Sequence, residues 1–318
     1  MNTNEIKIIG VGIAGHQVVE KISLEAIKNT DCIVCDIDAK DLEKSSVQNK
    51  ILLGAGIIKC LSLESQIEIG VNFVKNSEVD VATNLAIDGF DQLNSLFEEE
   101  SKMTILIANL GGTTEAGVIP VIAQIAKKSG MFVVAIVNTL FDFESENAKN
   151  IAYNALMKLR ADCDLVFVIK HSKIGKLYGN LSFKSLTRKT HEIVIRLAEV
   201  VMSMGSENID SLDLKLFFKN NGDDKSFIIG IGDGDGVNRA KDAIELALKN
   251  KLTERDTFEE VSNVLLQINY GSSEMTNDEK QEIENAILNP MKKKCAITMS
   301  VSEDISLDNA ISVMLIAY

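Results

Sequence analysis

The stretch that decides the fold is residues 105–120, which read Ile-Leu-Ile-Ala-Asn-Leu-Gly-Gly-Thr-Thr-Glu-Ala-Gly-Val-Ile-Pro. An apolar run enters it, a Gly/Thr cluster turns the chain, and an amphipathic run leaves it from Val118 onward. This order predicts a strand, a tight loop and a helix. Backbone N–H groups in such a loop, backed by a helix N-terminus, form a ready site for an anion, most often a phosphate group.

Glu115 places a carboxylate inside this predicted phosphate loop. Two like charges about 4 Å apart repel by about 1 kcal/mol in water and by about 4 kcal/mol at an effective dielectric constant of 20. A Mg²⁺ ion or an outward rotamer would relieve that repulsion. Alternatively, the carboxylate favours the positive end of its own helix, by about 0.3–1 kcal/mol. The sequence leaves both interpretations open.

The first 200 residues alternate apolar strands with helices. The predicted strands are 6–9, 31–35, 50–53, 80–86, 105–108, 132–138 and 165–169, and the predicted helices are 16–28, 65–75, 91–99, 118–129, 146–160 and 183–204. Such alternation predicts an α/β fold with a parallel sheet that is covered on both faces. Residues 225–318 predict a smaller α/β domain, with strands 226–231, 263–269, 295–300 and 310–317 and helices 237–249 and 277–289.

A second glycine motif lies near the N-terminus, where residues 10–15 read Gly-Val-Gly-Ile-Ala-Gly. Together with Asp36 and Asp38, about 20 residues further on, this motif fits the dinucleotide fingerprint of a Rossmann dehydrogenase. The second Gly loop, at 111–117, argues against that hypothesis, because one dinucleotide does not need two phosphate loops.

Composition excludes several classes of function. The net charge of −13 argues against nucleic-acid binding, and the chain has no run of 18 apolar residues to cross or enter a membrane. Five cysteines at scattered positions predict reduced thiols and a cytoplasmic protein. Cys32 and Cys35 stand within one apolar run, which favours buried strand residues over a zinc site, and the three histidines are dispersed. No metal ligands are therefore predicted.

Four motifs resemble those of the FtsZ/tubulin family, and the resemblance covers nearly the whole chain. They are residues 117–126 (Gly-Val-Ile-Pro-Val-Ile-Ala-Gln-Ile-Ala), 141–144 (Phe-Asp-Phe-Glu), 208–213 (Asn-Ile-Asp-Ser-Leu-Asp) and 234–240 (Gly-Asp-Gly-Val-Asn-Arg-Ala). The resemblance implies a parallel-sheet, GTPase-like nucleotide-binding domain at 1–182, a central linking helix at 183–206, and the acidic loop with a smaller α/β C-terminal domain at 207–318.

In this family the acidic loop of one subunit completes the GTPase site of the next subunit in a head-to-tail filament. The family pattern N-x-D-x-x-D is filled here by Asn208, Asp210 and Asp213, which the resemblance implies are catalytic. Without the resemblance, the simpler interpretation of the same residues is an acidic surface loop that caps a helix.

The resemblance also implies GTP with Mg²⁺ as cofactors, and it implies which residues contact the nucleotide. They are Gly10, Gly12, Gly15, His16, Gln17, Asp38, Gly56, Gly111, Gly112, Thr113, Thr114, Gly117, Glu144, Phe183 and Thr187. Several positions depart from the family pattern: Glu115 replaces a glycine, Ala148 an arginine, and His171 an asparagine. Thr187 and Arg188 replace the Asn and Asp that read guanine, and an arginine cannot accept the hydrogen bonds that guanine donates.

Two hypotheses of function follow. The first is an FtsZ-like cytoskeletal protein that binds GTP, polymerises head to tail and hydrolyses GTP at the subunit interface. The second is a pseudo-GTPase with a degenerate pocket that copolymerises with a conventional FtsZ or regulates another filament, because the pocket has changed while the acidic loop has not. The chain ends at Tyr318, without the linker and peptide by which FtsZ reaches membrane adaptors, so no direct membrane contact is expected.

Overall fold

The computed structural model describes residues 6–25, 27, 29–54, 78–97, 101–141, 143–179, 181–206, 227–253, 258, 261–292 and 294–318. The chain divides into two compact units. One comprises Met1–Ser172 and Ser182–Asn220, and the other comprises Lys173–Leu181 and Asn221–Tyr318.

The first unit is built on a six-stranded sheet in which all neighbouring strands are parallel. Its strands are β1 (Ile6–Val11), β2 (Thr30–Asp36), β3 (Asn49–Leu52), β4 (Met103–Asn109), β5 (Phe132–Thr139) and β6 (Leu165–Lys170), in the order β3-β2-β1-β4-β5-β6. The strands are almost continuously apolar because both faces of such a sheet are covered. This confirms the predicted parallel sheet.

Helices connect these strands. They are α1 (Gly12–Leu24), α2 (Ala39–Lys44), α3 (Glu78–Asp88), α4 (Phe90–Ser95), α5 (Thr113–Lys128) and α6 (Glu146–Asp162). After β6 the chain forms α7 (His171–Tyr178), most of which belongs to the second unit, and the long α8 (Phe183–Ser206). The core on one face of the sheet is formed with α3, α5 and α6, whose buried residues include Ala82, Ile122 and Leu156. The predicted central helix is α8.

The second unit contains a four-stranded sheet and, in its described part, two helices besides α7. Its strands are β7 (Ile228–Gly234), β8 (Asn263–Tyr270), β9 (Ala296–Glu303) and β10 (Ile311–Ala317), in the order β7-β10-β8-β9. Strand β10 is antiparallel to β7 and β8, and β8 is parallel to β9. The helices α9 (Arg239–Lys249) and α10 (Asn277–Leu288) share one hydrophobic core with the sheet, so this part of the chain is the smaller α/β domain that was predicted.

Helix α9 lies directly on the backbone of β7. Gly230, Gly232 and Gly234 alternate along β7, and a Cβ atom at each would overlap a backbone carbonyl oxygen of α9. Backbone cannot move aside as a flexible side chain can, so glycine is required here.

We therefore expect Gly232→Ala to lower the free energy of unfolding by about 2 kcal/mol, because the added methyl group forces α9 away from the sheet. Urea denaturation would measure the loss. Gly175→Ala is the matched control: nothing lies within 4 Å of a Cβ built at Gly175, in the helix α7. It should leave stability equal or raise it by up to about 1 kcal/mol. Equal stability of both variants would show that α9 tolerates a shift.

Several predicted elements were wrong. Residues 80–86 were predicted as a strand but lie in α3, where Ala82 and Ala86 are buried one helical turn apart. Helix α1 begins at Gly12 rather than at 16, and α5 begins at Thr113 rather than at 118, because the glycines and threonines of both motifs join the first turns. Helix α7 was not predicted. The predicted helix 65–75 lies outside the described residues.

Candidate functional site

Gly12 forms the turn between β1 and α1, with a φ of +71° that glycine adopts without strain. The other glycines of this motif have a packing role. A Cβ at Gly10 would lie 2.5 Å from the carbonyl oxygen of Gly15, and one at Gly15 would lie 2.6 Å from that of Ile107. Gly10 and Gly15 therefore let α1 pack closely on β1 and β4, and only Gly12 shapes the turn.

The second glycine motif forms the start of α5. Gly112 is its N-cap residue and provides no side-chain cap, and Thr113 and Thr114 lie half-buried in the first turn. Gly117 does not belong to the loop: it is buried inside α5, where a Cβ would lie 2.7 Å from the carbonyl oxygen of Val79 in α3. The phosphate loop expected from the sequence is thus limited to residues 111–114.

The N-termini of α1 and α5 meet where the strand order reverses. The chain runs outward from β1 through β2 to β3, and then returns to the other side of β1 for β4, β5 and β6. In open parallel sheets, ligands bind in the crevice beyond the carboxyl ends of the two strands that flank such a reversal. Helix N-termini there attract anions.

The side chain of Glu115 turns into this crevice. A Cβ at Gly12 would overlap its Oε1 atom, and a Cβ at Gly112 would overlap its Oε2 atom. Burial raises the pKa of Glu115 to about 7, and the carboxylates of Asp36 and Asp41 act in the same direction, while a hydrogen bond from its own backbone N–H opposes them. Together, the contacts beside Gly12 and Gly112 place the Glu115 carboxyl group between the N-termini of α1 and α5.

Two further residues that the sequence analysis singled out, His16 and Asp36, lie close together at the carboxyl end of β2. His16 is buried, with its Nε2 atom 3.1 Å from the carbonyl oxygen of Cys35 and 3.5 Å from Asp36 Oδ2. Burial raises the pKa of Asp36, although the backbone N–H groups of Ile37 and Asp38 donate to its carboxylate. These contacts place His16 in a structural role.

Two other candidates lie at the protein surface. Asp38 caps α2 by accepting a hydrogen bond from the Lys40 N–H at 2.8 Å, and Gln17 is exposed on α1. The cap explains Asp38 without a ligand.

Aromatic rings cluster beyond the carboxyl ends of β5 and β6. Phe141 stacks on His171 and on Phe143, with ring centroids 4.3 and 5.1 Å apart, and contacts Phe183 at 5.4 Å. The His171 Nδ1 atom is hydrogen-bonded to the carbonyl oxygen of Thr139. Burial lowers the pKa of the His171 imidazole. Phe143 and Phe183 are 78% and 65% exposed, so their rings offer a surface on which a planar group can stack.

The polar site residues predicted near this aromatic cluster, Glu144 and Thr187, form hydrogen bonds with residues three or four positions away in the chain. Glu144 accepts a hydrogen bond from the Phe141 N–H at 3.1 Å, and Thr187 donates to the Phe183 carbonyl oxygen at 3.1 Å. The Arg188 side chain is 71% exposed and lies 3.8 Å from Glu192. No contact in the described residues therefore links Glu144 or Thr187 to the crevice.

Four predicted site residues lie outside the described residues: Gly56 and the acidic-loop residues Asn208, Asp210 and Asp213. Their predicted roles remain predictions.

A 3-2-1-4-5-6 parallel sheet with two helix N-termini at its switch point is the arrangement typical of nucleotide-binding α/β domains, and a second α/β unit follows it in this chain. Residues 5–179 match the family model for the Tubulin/FtsZ family, GTPase domain, and residues 226–318 match that for the FtsZ family, C-terminal domain. The chain therefore belongs to the tubulin/FtsZ family, which confirms the resemblance inferred from the motifs.

Individual relatives agree with this assignment. The chain is 26% identical to cell division protein FtsZ 1 of Methanocaldococcus jannaschii, covering 98% of this chain and 82% of that protein. It is 28% identical to cell division protein FtsZ 1 of Thermococcus kodakarensis, covering 98% and 80%. Among solved structures, an empty FtsZ dimer from M. jannaschii matches with a TM-score of 0.81 at 23% identity, covering 98% and 87% of the two chains. CetZ from Methanosaeta thermophila matches with a TM-score of 0.70 at 13% identity, covering 99% and 86%.

Sequence reasoning missed three residues around the site. Asp41 was not singled out, and Phe141 and Phe143 were noted only as part of a family motif. Two aromatic residues at alternate positions directly after a buried strand were the available signal for a stacking surface. Asp41 gave none, because charged residues are common in short surface helices.

Proposed function

We propose that this chain is a cytoskeletal protein that binds GTP, assembles head to tail and hydrolyses GTP where two subunits meet. The observation that carries the proposal is the crevice between the starts of α1 and α5, in a chain of the tubulin/FtsZ family. Gly12 and residues 111–114 would hold the phosphates, and the exposed Phe183 ring would stack on the base.

The proposal divides the chain into a nucleotide-binding domain at 1–182, the central helix at 183–206, and the acidic loop with the C-terminal domain at 207–318. Asn208, Asp210 and Asp213 would orient water against the nucleotide of the neighbouring subunit. Mg²⁺, when bound, would neutralise phosphate charge. We place the protein in the cytoplasm on its cysteine pattern and family. No helix in the described part of the chain has the length and hydropathy to cross a membrane.

A second candidate is a pseudo-GTPase that copolymerises with a conventional FtsZ. Two observations favour it: Glu115 lies in the crevice, and Arg188 points to solvent at the position where a carboxylate would be needed to read guanine. Such a subunit would supply Asp210 and Asp213 to a partner's GTP without binding GTP itself.

Calorimetry with GTP and Mg²⁺, with ATP as control, separates the two. Micromolar binding of GTP but not ATP supports the first function. Absence of GTP binding, with sedimentation of the chain only alongside conventional FtsZ filaments, supports the second.

For the first function, we expect Asp210→Ala to reduce GTP hydrolysis by at least about 100-fold while the affinity for GTP stays unchanged, because the loop acts on a neighbour's nucleotide. Phosphate release and calorimetry would measure the two quantities. Full hydrolysis by the variant would remove Asp210 from the catalytic role.

A further inference from the structure

We propose that Glu115 is an internal occupant of the phosphate position, and that a phosphate group enters the crevice only by displacing the Glu115 carboxyl group. This inference deepens the proposed function and rests on the same crevice. It identifies Glu115 as a residue that determines which ligands the site accepts.

The first argument is the position of the two carboxyl oxygens. The Oε2 atom occupies the space beside Gly112 at the start of α5, and the Oε1 atom occupies the space beside Gly12 at the start of α1. The carboxyl group thus spans the N-termini of two helices that come from opposite sides of the strand reversal. A phosphate bound at the same N-termini would need the same space.

Ordinary helix capping accounts for only one of these contacts. In α10, Glu279 also occupies the third helical position, and it accepts a hydrogen bond from the N-cap Thr276 N–H at 2.8 Å in a capping box. Glu115 occupies the same position in α5 and likewise reaches back to its N-cap residue, Gly112. Its second oxygen, however, reaches the separate helix α1, which a cap of α5 does not require.

The surroundings make the carboxyl group displaceable. Asp36 at the end of β2 and Asp41 in α2 disfavour its ionised form, and burial does so more strongly, so that the pKa of Glu115 rises to about 7. His16 is a further titratable group beside Asp36, with its Nε2 atom 3.5 Å from Asp36 Oδ2. The ionised carboxylate would gain hydration by leaving, and the helix N-termini would gain a phosphate in exchange.

An unsatisfied amide lies next to this loop. The Oδ1 atom of Asn109, at the end of β4, is buried and makes no hydrogen bond among the described residues. It lies 3.7 Å from the position of a Cβ at Gly111. The orientation of an amide is exchangeable by a half-turn, which would present its N–H₂ group to a phosphate beside Gly111.

The test uses pyrophosphate and the full chain, without Mg²⁺, by calorimetry. We expect Glu115→Ala to bind pyrophosphate at least about tenfold more tightly than the natural chain, because the competing carboxyl group is gone. Glu115→Gln should fall between the two, since its amide fills the space but carries no charge. Circular dichroism melting would establish that both variants are folded. Equal affinity of the natural chain and Glu115→Ala, or no binding by either, overturns the inference.

Proton counting gives a second, independent readout. Titration near pH 7 in two buffers of different ionisation enthalpy measures the protons exchanged on binding. We expect the natural chain to release about half a proton more than Glu115→Ala, because the displaced carboxyl group ionises in water. Proton uptake instead would mean that the carboxyl group stays beside the phosphate, and overturns displacement.

The same titrations with GTP separate this inference from the proposed function. Tighter pyrophosphate binding by Glu115→Ala without GTP binding by either protein supports the inference and contradicts the proposed GTP binding. Equal GTP binding by both proteins supports GTP binding and overturns the inference.

Discussion

Arg239→Met is expected to lower the free energy of unfolding by about 2–4 kcal/mol, because it leaves a partly buried carboxylate and several carbonyl oxygens without their donor. The guanidinium is only 7% exposed. Its Nε and Nη2 atoms donate to the two oxygens of Glu279 at 2.6 and 3.1 Å. Its remaining bonds, at 2.9–3.0 Å, go to the carbonyl oxygens of Ser273, Asn309 and Glu274.

This arrangement joins the start of α9, the turn before α10 and the segment before β10. Glu279 also completes the capping box of α10 through Thr276. One side chain thus holds three segments of the second unit, and a methionine of similar length would replace none of the bonds. Urea denaturation at pH 7, followed by circular dichroism, would measure the loss.

Arg188→Met is the matched control for this variant. Its guanidinium is exposed and lies 3.8 Å from Glu192, so we expect a change below about 0.5 kcal/mol. Arg239→Lys keeps the charge but not the planar fork, and should lie between the two variants. If Arg239→Met were as stable as the natural chain, the hydrogen bonds that Arg239 donates would contribute nothing net to stability, and water would satisfy the same acceptors in the variant.

The hydrogen bonds between Arg239 and Glu279 also predict how the free energy of unfolding changes at low pH. The side-chain hydrogen bond from Arg239 is the main cause that lowers the pKa of Glu279 to about 2. The part of the stabilisation that comes from the Glu279 carboxylate is therefore present above about pH 4.5 and is lost as the pH falls towards 2. The difference between the natural chain and Arg239→Met should shrink over this range but not vanish, because the bonds to the three carbonyl oxygens do not titrate.

Glu115 is expected to have the opposite effect: its contribution to stability should be lost as the pH rises. Its folded pKa of about 7 lies above the ordinary value of 4.5. The folded chain therefore holds a proton that the unfolded chain has released between these two values. Relative to Glu115→Gln, the natural chain should lose up to about 3 kcal/mol of stability as the pH rises from 4.5 to 7, and the difference should be constant above that.

Urea denaturation of both proteins at several pH values from 4.5 to 8 would measure this difference. Glu146→Gln is the control, since the Glu146 side chain is 84% exposed and forms a surface ion pair with Lys149. Its difference from the natural chain should be nearly flat. A flat difference for Glu115→Gln as well would place the Glu115 carboxyl group in water and remove the basis for internal occupancy.

The fold could be predicted because it depends on patterns that repeat along the chain. Strands β1, β4 and β5 are short apolar runs separated by amphipathic segments, and parallel strands require such crossovers. The segment 80–86 was misassigned although its apolar residues, at positions 81, 82, 85 and 86, recur at helical spacing. Seven residues are too few to separate a helix from a strand securely by periodicity, and the packing of this segment on α5 becomes visible only in the fold.

The site was less predictable because it depends on where individual side chains turn. The sequence placed Glu115 in the loop but could not choose between an outward rotamer and the crevice, since Gly12 lies more than 100 positions away. The Arg239 bonds were not foreseen for the same reason: their partners lie 34 to 70 positions along the chain. Contacts of this kind exist only once the sheets have formed.

The position of Glu115 has a consequence for the subunit without ligand. A cavity lined by two helix N-termini is electrically unbalanced when empty, and an exposed polarised cavity invites water, salt anions or a foreign protein. The Glu115 carboxyl group lies at both N-termini, so the subunit supplies its own counter-charge there whenever this group is ionised. If the internal occupancy holds, the affinity of the unliganded subunit for salt anions at this position would be low.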